Sequence, residues 1–175
     1  MKVITKTRLI CAVLTVLLAT AVLAQEVKWK NWNWEVFNIR FKIPDFVKPT
    51  TFKDTKKFSA TDNKSFTVSI YPWNNADEEP QVSAKKSYDG FSAVKDKEVI
   101  AEYAVNITDF QGYMIVGKGM NIQYNYPQYF AIFGLYEPKS KLNLLVTFGW
   151  WDDAEKNDYF RDICDKIAES VQIMK

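Results

Sequence analysis

Serine, lysine, cysteine and carboxylate side chains are the groups of this chain that could carry covalent or acid–base chemistry, because its 175 residues include no histidine. That absence removes His-based triads, HExxH zinc sites and any imidazole acid or base near neutral pH, and with them most hydrolase mechanisms. Ser83 with Lys86 and Ser92 with Lys95 have the Ser-x-x-Lys spacing in which an amine can activate a hydroxyl. Both pairs fall in one Ser- and Lys-rich stretch without the other elements of a penicillin-binding site, so they read as coincidence. Cys164 lies on the apolar stripe of a helix and reads as a structural thiol. The runs Asp77-Glu78-Glu79 and Asp152-Asp153 could attract a divalent cation. Each stands where a helix begins, where negative charge satisfies free amides and the helix dipole. Gly117-Lys118-Gly119 lacks the third glycine and following helix of a dinucleotide loop and reads as a turn or bulge between strands. No catalytic residue, metal site or cofactor is expected, and the chain reads as a non-enzyme.

What remains is a surplus of aromatics. Trp29, Trp32, Trp34, Tyr124, Tyr126, Trp150 and Trp151 form the candidate binding surface, with Trp73 and Tyr129 as further aromatics. Core packing accounts for most aromatics in any domain. Consecutive residues of a strand point to opposite faces, however, so Trp150 and Trp151 cannot both face one core. An exposed Trp or Tyr offers a large contact area with a polar tip, which favours protein or ligand contacts.

The elements that must position these residues are legible in the periodicity. Phe37, Ile39, Phe41 and Ile43 alternate with polar residues and stop at Pro44, predicting a half-buried strand, while the slip in phase after Trp34 predicts a bulge or turn near Glu35-Val36. The Trp segment and that strand need not share a face. Phe58 to Ile70 reads as a hairpin turning at Asp62-Asn63. A helix is expected from about Gln81 to Val94, with Ala84, Tyr88 and Phe91 on one stripe. Strand character returns at 103–107, 113–117, 120–126, 129–136 and 142–150, with 137–141 as a polar hairpin loop, which predicts an antiparallel meander. A last helix is expected with Asp152 as N-cap and Phe160, Ile163, Cys164, Ile167 and Val171 at helical spacing. Strands and helices that do not alternate one for one predict the α+β class.

Residues 1–24 read as an export signal: Lys2, Lys6 and Arg8, an apolar run, then small residues before Gln25. The expected organisation is a signal peptide over 1–24 and a single domain over 25–175 with a Trp-rich N-terminal segment. Removing the signal's three basic residues takes the formal charge from +2 to −1, which argues against nucleic acid as a partner. It also leaves Cys164 as the one cysteine, so no internal disulfide is expected. No stable membrane anchor is expected after cleavage, and the location is secreted or periplasmic.

The strand Phe37-Asn38-Ile39-Arg40-Phe41-Lys42-Ile43-Pro44 with Phe46, the hairpin through Phe66-Thr67-Val68-Ser69-Ile70, the meander and the helix ending in Ile167-Ala168-Glu169-Ser170-Val171 resemble the PsbP-like superfamily, which includes PsbP, the Ran-binding Mog proteins and DcrB-type envelope proteins. The resemblance spans about residues 35–173 and implies an α/β/α sandwich with a central antiparallel sheet, in a module that binds or helps assemble partners. No functional residue carries over, because members differ in partner. The expected function is therefore an exported, non-enzymatic binding or assembly module of the envelope whose partner is a protein or a small ligand. The competing expectation is a carrier of a hydrophobic ligand with a lipocalin-like barrel.

Overall fold

The computed structural model describes residues 27–51, 56–74 and 78–174. The expected signal peptide lies outside them. Among the described residues, the chain forms a seven-stranded antiparallel sheet, a three-stranded sheet and two α-helices packed on them.

The N-terminal hairpin pairs β1 (Trp29–Trp34) with β2 (Ile39–Pro44) across a 3-10 turn over Glu35–Phe37. The slip in apolar phase marked that turn. Asn38 closes it at φ 53°, a left-handed conformation that asparagine tolerates. Trp34 lies opposite Ile39 and Trp32 opposite Phe41, so these tryptophans share the apolar face of β2. β3 (Lys48–Thr51) and β4 (Phe58–Thr61) follow, and β4 joins β5 (Phe66–Asn74) through the expected turn. Asp62 organises that turn: its carboxylate accepts from the backbone N–H groups of Lys64 (2.8 Å), Ser65 (2.9 Å) and Phe66 (2.9 Å) and from the Ser65 hydroxyl (2.9 Å).

Helix α1 (Pro80–Gly90) has Pro80 in its first turn, where a missing N–H costs nothing. It is shorter than the expected 81–94. Gly90 ends it, and from Val94 the chain enters β6 (Val94–Ile107), which hydrogen-bonds along β7 (Phe110–Asn121). β7 runs straight through Gly117-Lys118-Gly119, so the turn expected there does not form, and the bulge that was the other expectation lies on the facing strand. The irregularity sits in β6 instead, whose register shifts between Lys95 and Glu98 and between Val99 and Ala101. A side chain at Gly117 would strike the Phe130 ring of β8 (Tyr126–Glu137), so that glycine serves packing. The turn of this hairpin lies at 122–125.

β9 (Leu142–Trp151) completes the meander and inserts between β8 and β5. The loop before it is capped by buried Glu137, whose carboxylate accepts from Lys139 N–H (3.0 Å), Ser140 N–H (2.7 Å) and the Ser140 hydroxyl (2.6 Å). Helix α2 (Asn157–Glu169) starts five residues after Asp152, so Asp152 is not its N-cap; Asp152 Oδ1 accepts from Asn157 Nδ2 (3.1 Å), and the Asp153 carbonyl accepts from Lys156 and Asn157. The apolar stripe is as expected, with Phe160, Ile163, Cys164, Ile167 and Val171 buried. β10 (Gln172–Ile173) then pairs with β2 and closes the small sheet.

Each face of the large sheet carries a hydrophobic cluster. On the inner face Ala131, Phe133, Leu135, Val146, Phe148 and Trp150 belong to the core that α2 and the small sheet complete. On the outer face Ile115, Phe130 and Ile132 pack with Ala84, Tyr88 and Phe91. The α+β class holds, as do helices packed on an antiparallel sheet, but the small sheet shares the inner layer with α2. Among the described residues the sheet is open, with β3 and β6 at its edges, and not the barrel of the carrier reading.

Candidate functional site

Helix α1 lies over β7, β8 and β9 and leaves the outer face of β4 and β5 uncovered. Gly134 lets it approach: a Cβ there would meet the Pro80 carbonyl oxygen and the Ser83 hydroxyl. Beside it the outward positions of three paired strands form a floor of small polar groups. Ser59 lies opposite Ser69, which lies opposite Thr147; Thr61 lies opposite Thr67, which lies opposite Gly149. The Ser59 and Ser69 hydroxyls are 2.9 Å apart and hydrogen-bonded. This floor bottoms an open groove of about 1030 Å³. A second cleft of about 370 Å³, between α1 and β5, shares Tyr71, Phe91 and Thr147 with it, so the two form one trough.

The trough has aromatic walls. At one end Trp151 meets Tyr124 (ring centroids 5.4 Å apart, planes at 86°) and Tyr126 (5.6 Å, 76°), both edge to face. Backbone hydrogen bonds fix the Trp151 stem, from its N–H to Ser65 (3.1 Å) and from Asp152 N–H to Pro127 (3.0 Å). Its indole N–H donates to the Lys64 carbonyl. Tyr124 is set by Asn121, whose Oδ1 accepts from the Tyr124 N–H (2.9 Å) while its Nδ2 donates to Gln128 Oε1 (2.8 Å). Midway stand Phe91, packed on Phe130 at 5.3 Å, and Tyr71, with Lys57 5.0 Å over its ring. Trp73 walls the far end.

The structure divides the seven candidate residues. Tyr124 (61% exposed), Tyr126 (49%) and Trp151 come together on the trough. Trp34 and Trp150 are buried at 5% and 3%, which corrects their place in a surface: both point inward in the strand alternation. Trp29 and Trp32 pack, partly buried, against that same inner core, Trp32 on Phe58 at 5.6 Å. Sequence reasoning missed the floor residues, because Ser and Thr alternating with apolar residues mark any exposed strand face.

Ser83, Lys86 and Cys164 are engaged in structural contacts. The buried Ser83 hydroxyl donates to the Pro80 carbonyl (3.0 Å), and Lys86 pairs with Glu78. Burial, with Asp165 adding to it, pushes the Cys164 thiol well above its ordinary range. Lys156 pairs with Asp153 at 3.1 Å, and this bond with the Glu155 N–H holds the Asp153 carboxyl below its usual value. No group of three or more metal-ligating side chains occurs among the described residues.

No family model matches the chain, and no curated protein matches it. Solved structures do. The Ran-binding protein Mog1p of Saccharomyces cerevisiae superposes with a TM-score of 0.61 at 5% identity, covering 86% of this chain and 97% of that one. Cyanobacterial PsbP (CyanoP) of Synechocystis sp. PCC 6803 gives 0.53 at 12% identity over 86% and 95%. LpqN of Mycobacterium tuberculosis, involved in cell envelope biogenesis, gives 0.53 at 11% over 90% and 96%. This chain has the PsbP-like fold. At such identities what is shared is the fold, and the resemblance read from the strand and helix patterns stands as a resemblance of fold.

Proposed function

We propose that the protein is an exported, non-enzymatic binding or assembly module of the cell envelope and that the trough is its binding face. One observation carries this reading: Trp151, Tyr124 and Tyr126 meet on the rim of an open groove of about 1030 Å³. A groove with a few aromatic anchors and convergent polar groups is the usual form of a recognition site. The engagement of Ser83, Lys86 and Cys164 in structural contacts supports binding over catalysis. Neighbours of the same fold include a Ran-binding protein and a protein of cell envelope biogenesis, which agrees with a binding role. The leader-like residues 1–24 support export.

A photo-crosslinking residue at position 124, in protein expressed in its own host, tests the reading. Adducts from the envelope fraction at position 124, and none at Val36 on the small-sheet side, are expected. Repeated recovery of the protein alone overturns it. Cell fractionation with N-terminal sequencing tests export, the expected outcome being a chain beginning at Gln25; a cytoplasmic chain retaining residues 1–24 overturns that part.

A further inference from the structure

We infer that the occupant of the trough is a glycan chain, lying along the sheet face with its sugar rings against Trp151, Tyr71 and Trp73. The inference rests on the trough being the binding face and names what it binds.

Shape comes first. From Thr67 to Trp73 the floor follows β5, a path of about 20 Å at the rise of a strand. The larger groove alone stands at the top of the range of small-molecule sites, roughly 300–1,000 Å³. An open trough of this length suits an oligomer better than a single sugar.

Chemistry selects which oligomer. The floor offers hydroxyls from Ser59, Thr61, Thr67, Ser69 and Thr147, with the Gln128 carboxamide beside Trp151, and no formal charge. Hydroxyls and carboxamides both donate and accept, as a polyol requires. On the rim Lys156 pairs with Asp153 and Lys86 with Glu78, while Lys57, over the Tyr71 ring, and Lys64 keep their charges. A lipid chain would cover the floor hydroxyls and leave the lone pairs not used in bonds within the protein unsatisfied, at a cost.

An extended peptide is disfavoured by where the trough runs. It lies on a sheet face, where β4, β5 and β9 have already paired their backbone groups with one another. Strand addition needs a free edge. A peptide here would have to satisfy two backbone groups per residue from side-chain hydroxyls, of which Ser59 and Ser69 already bond each other. A sugar ring instead sets an apolar C–H face on an aromatic side chain and turns its hydroxyls to the floor.

The test is calorimetric titration of the mature protein with short oligosaccharides of glucose, xylose, mannose and N-acetylglucosamine, followed in parallel by tryptophan emission. Binding by at least one series, tightening with chain length, is expected. Trp151→Ala should weaken it by about tenfold or more, equivalent to about 1.4 kcal/mol. Tyr124→Ala, at an exposed site where folding is not at stake, should weaken it severalfold. Failure of all four series to bind, or binding indifferent to both substitutions, overturns the inference. A protein adduct at position 124 that no oligosaccharide displaces overturns the glycan while leaving the binding face standing; no adduct and no sugar binding removes both.

Discussion

Trp150 and Trp151 are adjacent in the chain and lie on opposite faces of the seven-stranded sheet. Trp150 is buried in the inner core, stacked on Tyr129 at 5.7 Å and 11°, whereas Trp151 stands on the outer trough beside Tyr124 and Tyr126. Both stay in register because β9 pairs regularly through its last residue, with Trp150 opposite Phe66 and Tyr129 and Trp151 opposite Gln128.

The two tryptophans should therefore respond in opposite ways to truncation. Trp150→Ala is expected to destabilise the fold by about 3–5 kcal/mol through the cavity it leaves. Trp150→Phe should cost less, since the buried Trp150 N–H has no acceptor to lose. Trp151→Ala should cost about 1 kcal/mol, mainly its hydrogen bond to Lys64. Urea unfolding of the three variants measures the order; equal losses for Trp150→Ala and Trp151→Ala would contradict the assignment of faces.

The two carboxylates that build turns make stability acid-sensitive. Burial alone would raise the Asp62 and Glu137 carboxyls, but hydrogen bonds outweigh it, from Phe66, Lys64 and Ser65 for Asp62 and from Ser140 and Lys139 for Glu137. Both values lie below the ordinary 3.8 and 4.5. A depressed folded-state pKa contributes stability that is complete above the unfolded value and lost as pH falls through the folded one. Urea midpoints should be flat near neutrality and decline from about pH 5 downward. The double variant Asp62→Asn, Glu137→Gln should be less stable at neutral pH and flatten the decline.

Asp62→Ala removes the carboxylate that accepts four hydrogen bonds in the β4–β5 turn, and Trp151 is anchored on that turn through Lys64. A loss of about 1–3 kcal/mol is expected, with weaker binding in the trough. Asn63 needs no change, since its φ of 60° is one asparagine tolerates. Unaltered stability in the alanine variant would show that the turn holds without its carboxylate.

Gly134→Val should push α1 off the sheet, because the new side chain meets Pro80 and Ser83 backbone and hydroxyl atoms rather than a flexible tip. Overpacking of this kind costs about 1–3 kcal/mol. Hydrogen exchange in residues 80–90 reads it directly, and unchanged protection there would contradict the close contact.

Cys164 should resist iodoacetamide in the native protein and react once guanidinium unfolds it. Full burial keeps the thiol protonated, and the thiolate is the reactive form. Rapid native alkylation would show that α2 opens.

Much of the fold was written locally. Ile39, Phe41 and Ile43 alternate, Phe160, Ile163, Cys164 and Ile167 recur at helical spacing, and Asp62 carries turn chemistry, so strand, helix and hairpin were legible without any distant contact. Boundaries were less so, as at Gly117, where two apolar runs about a glycine read as two strands but form one. A strand is broken or continued by what its neighbour offers, and there the neighbour is Phe130.

The leader-like pattern of residues 1–24 and the lack of an imidazole base are properties of composition and order, and the sequence alone sets the expectations drawn from them. It could also say that Trp150 and Trp151 face opposite ways. Only the tertiary structure decided which way each faces, because that depends on β9 inserting beside β5, far away in the chain. The same pairing places Ser69 against Thr147 and Thr67 against Gly149 and so creates the trough. A site built from cross-strand neighbours of long sequence separation leaves no local pattern, since each residue in it is, by itself, an ordinary polar position on a strand.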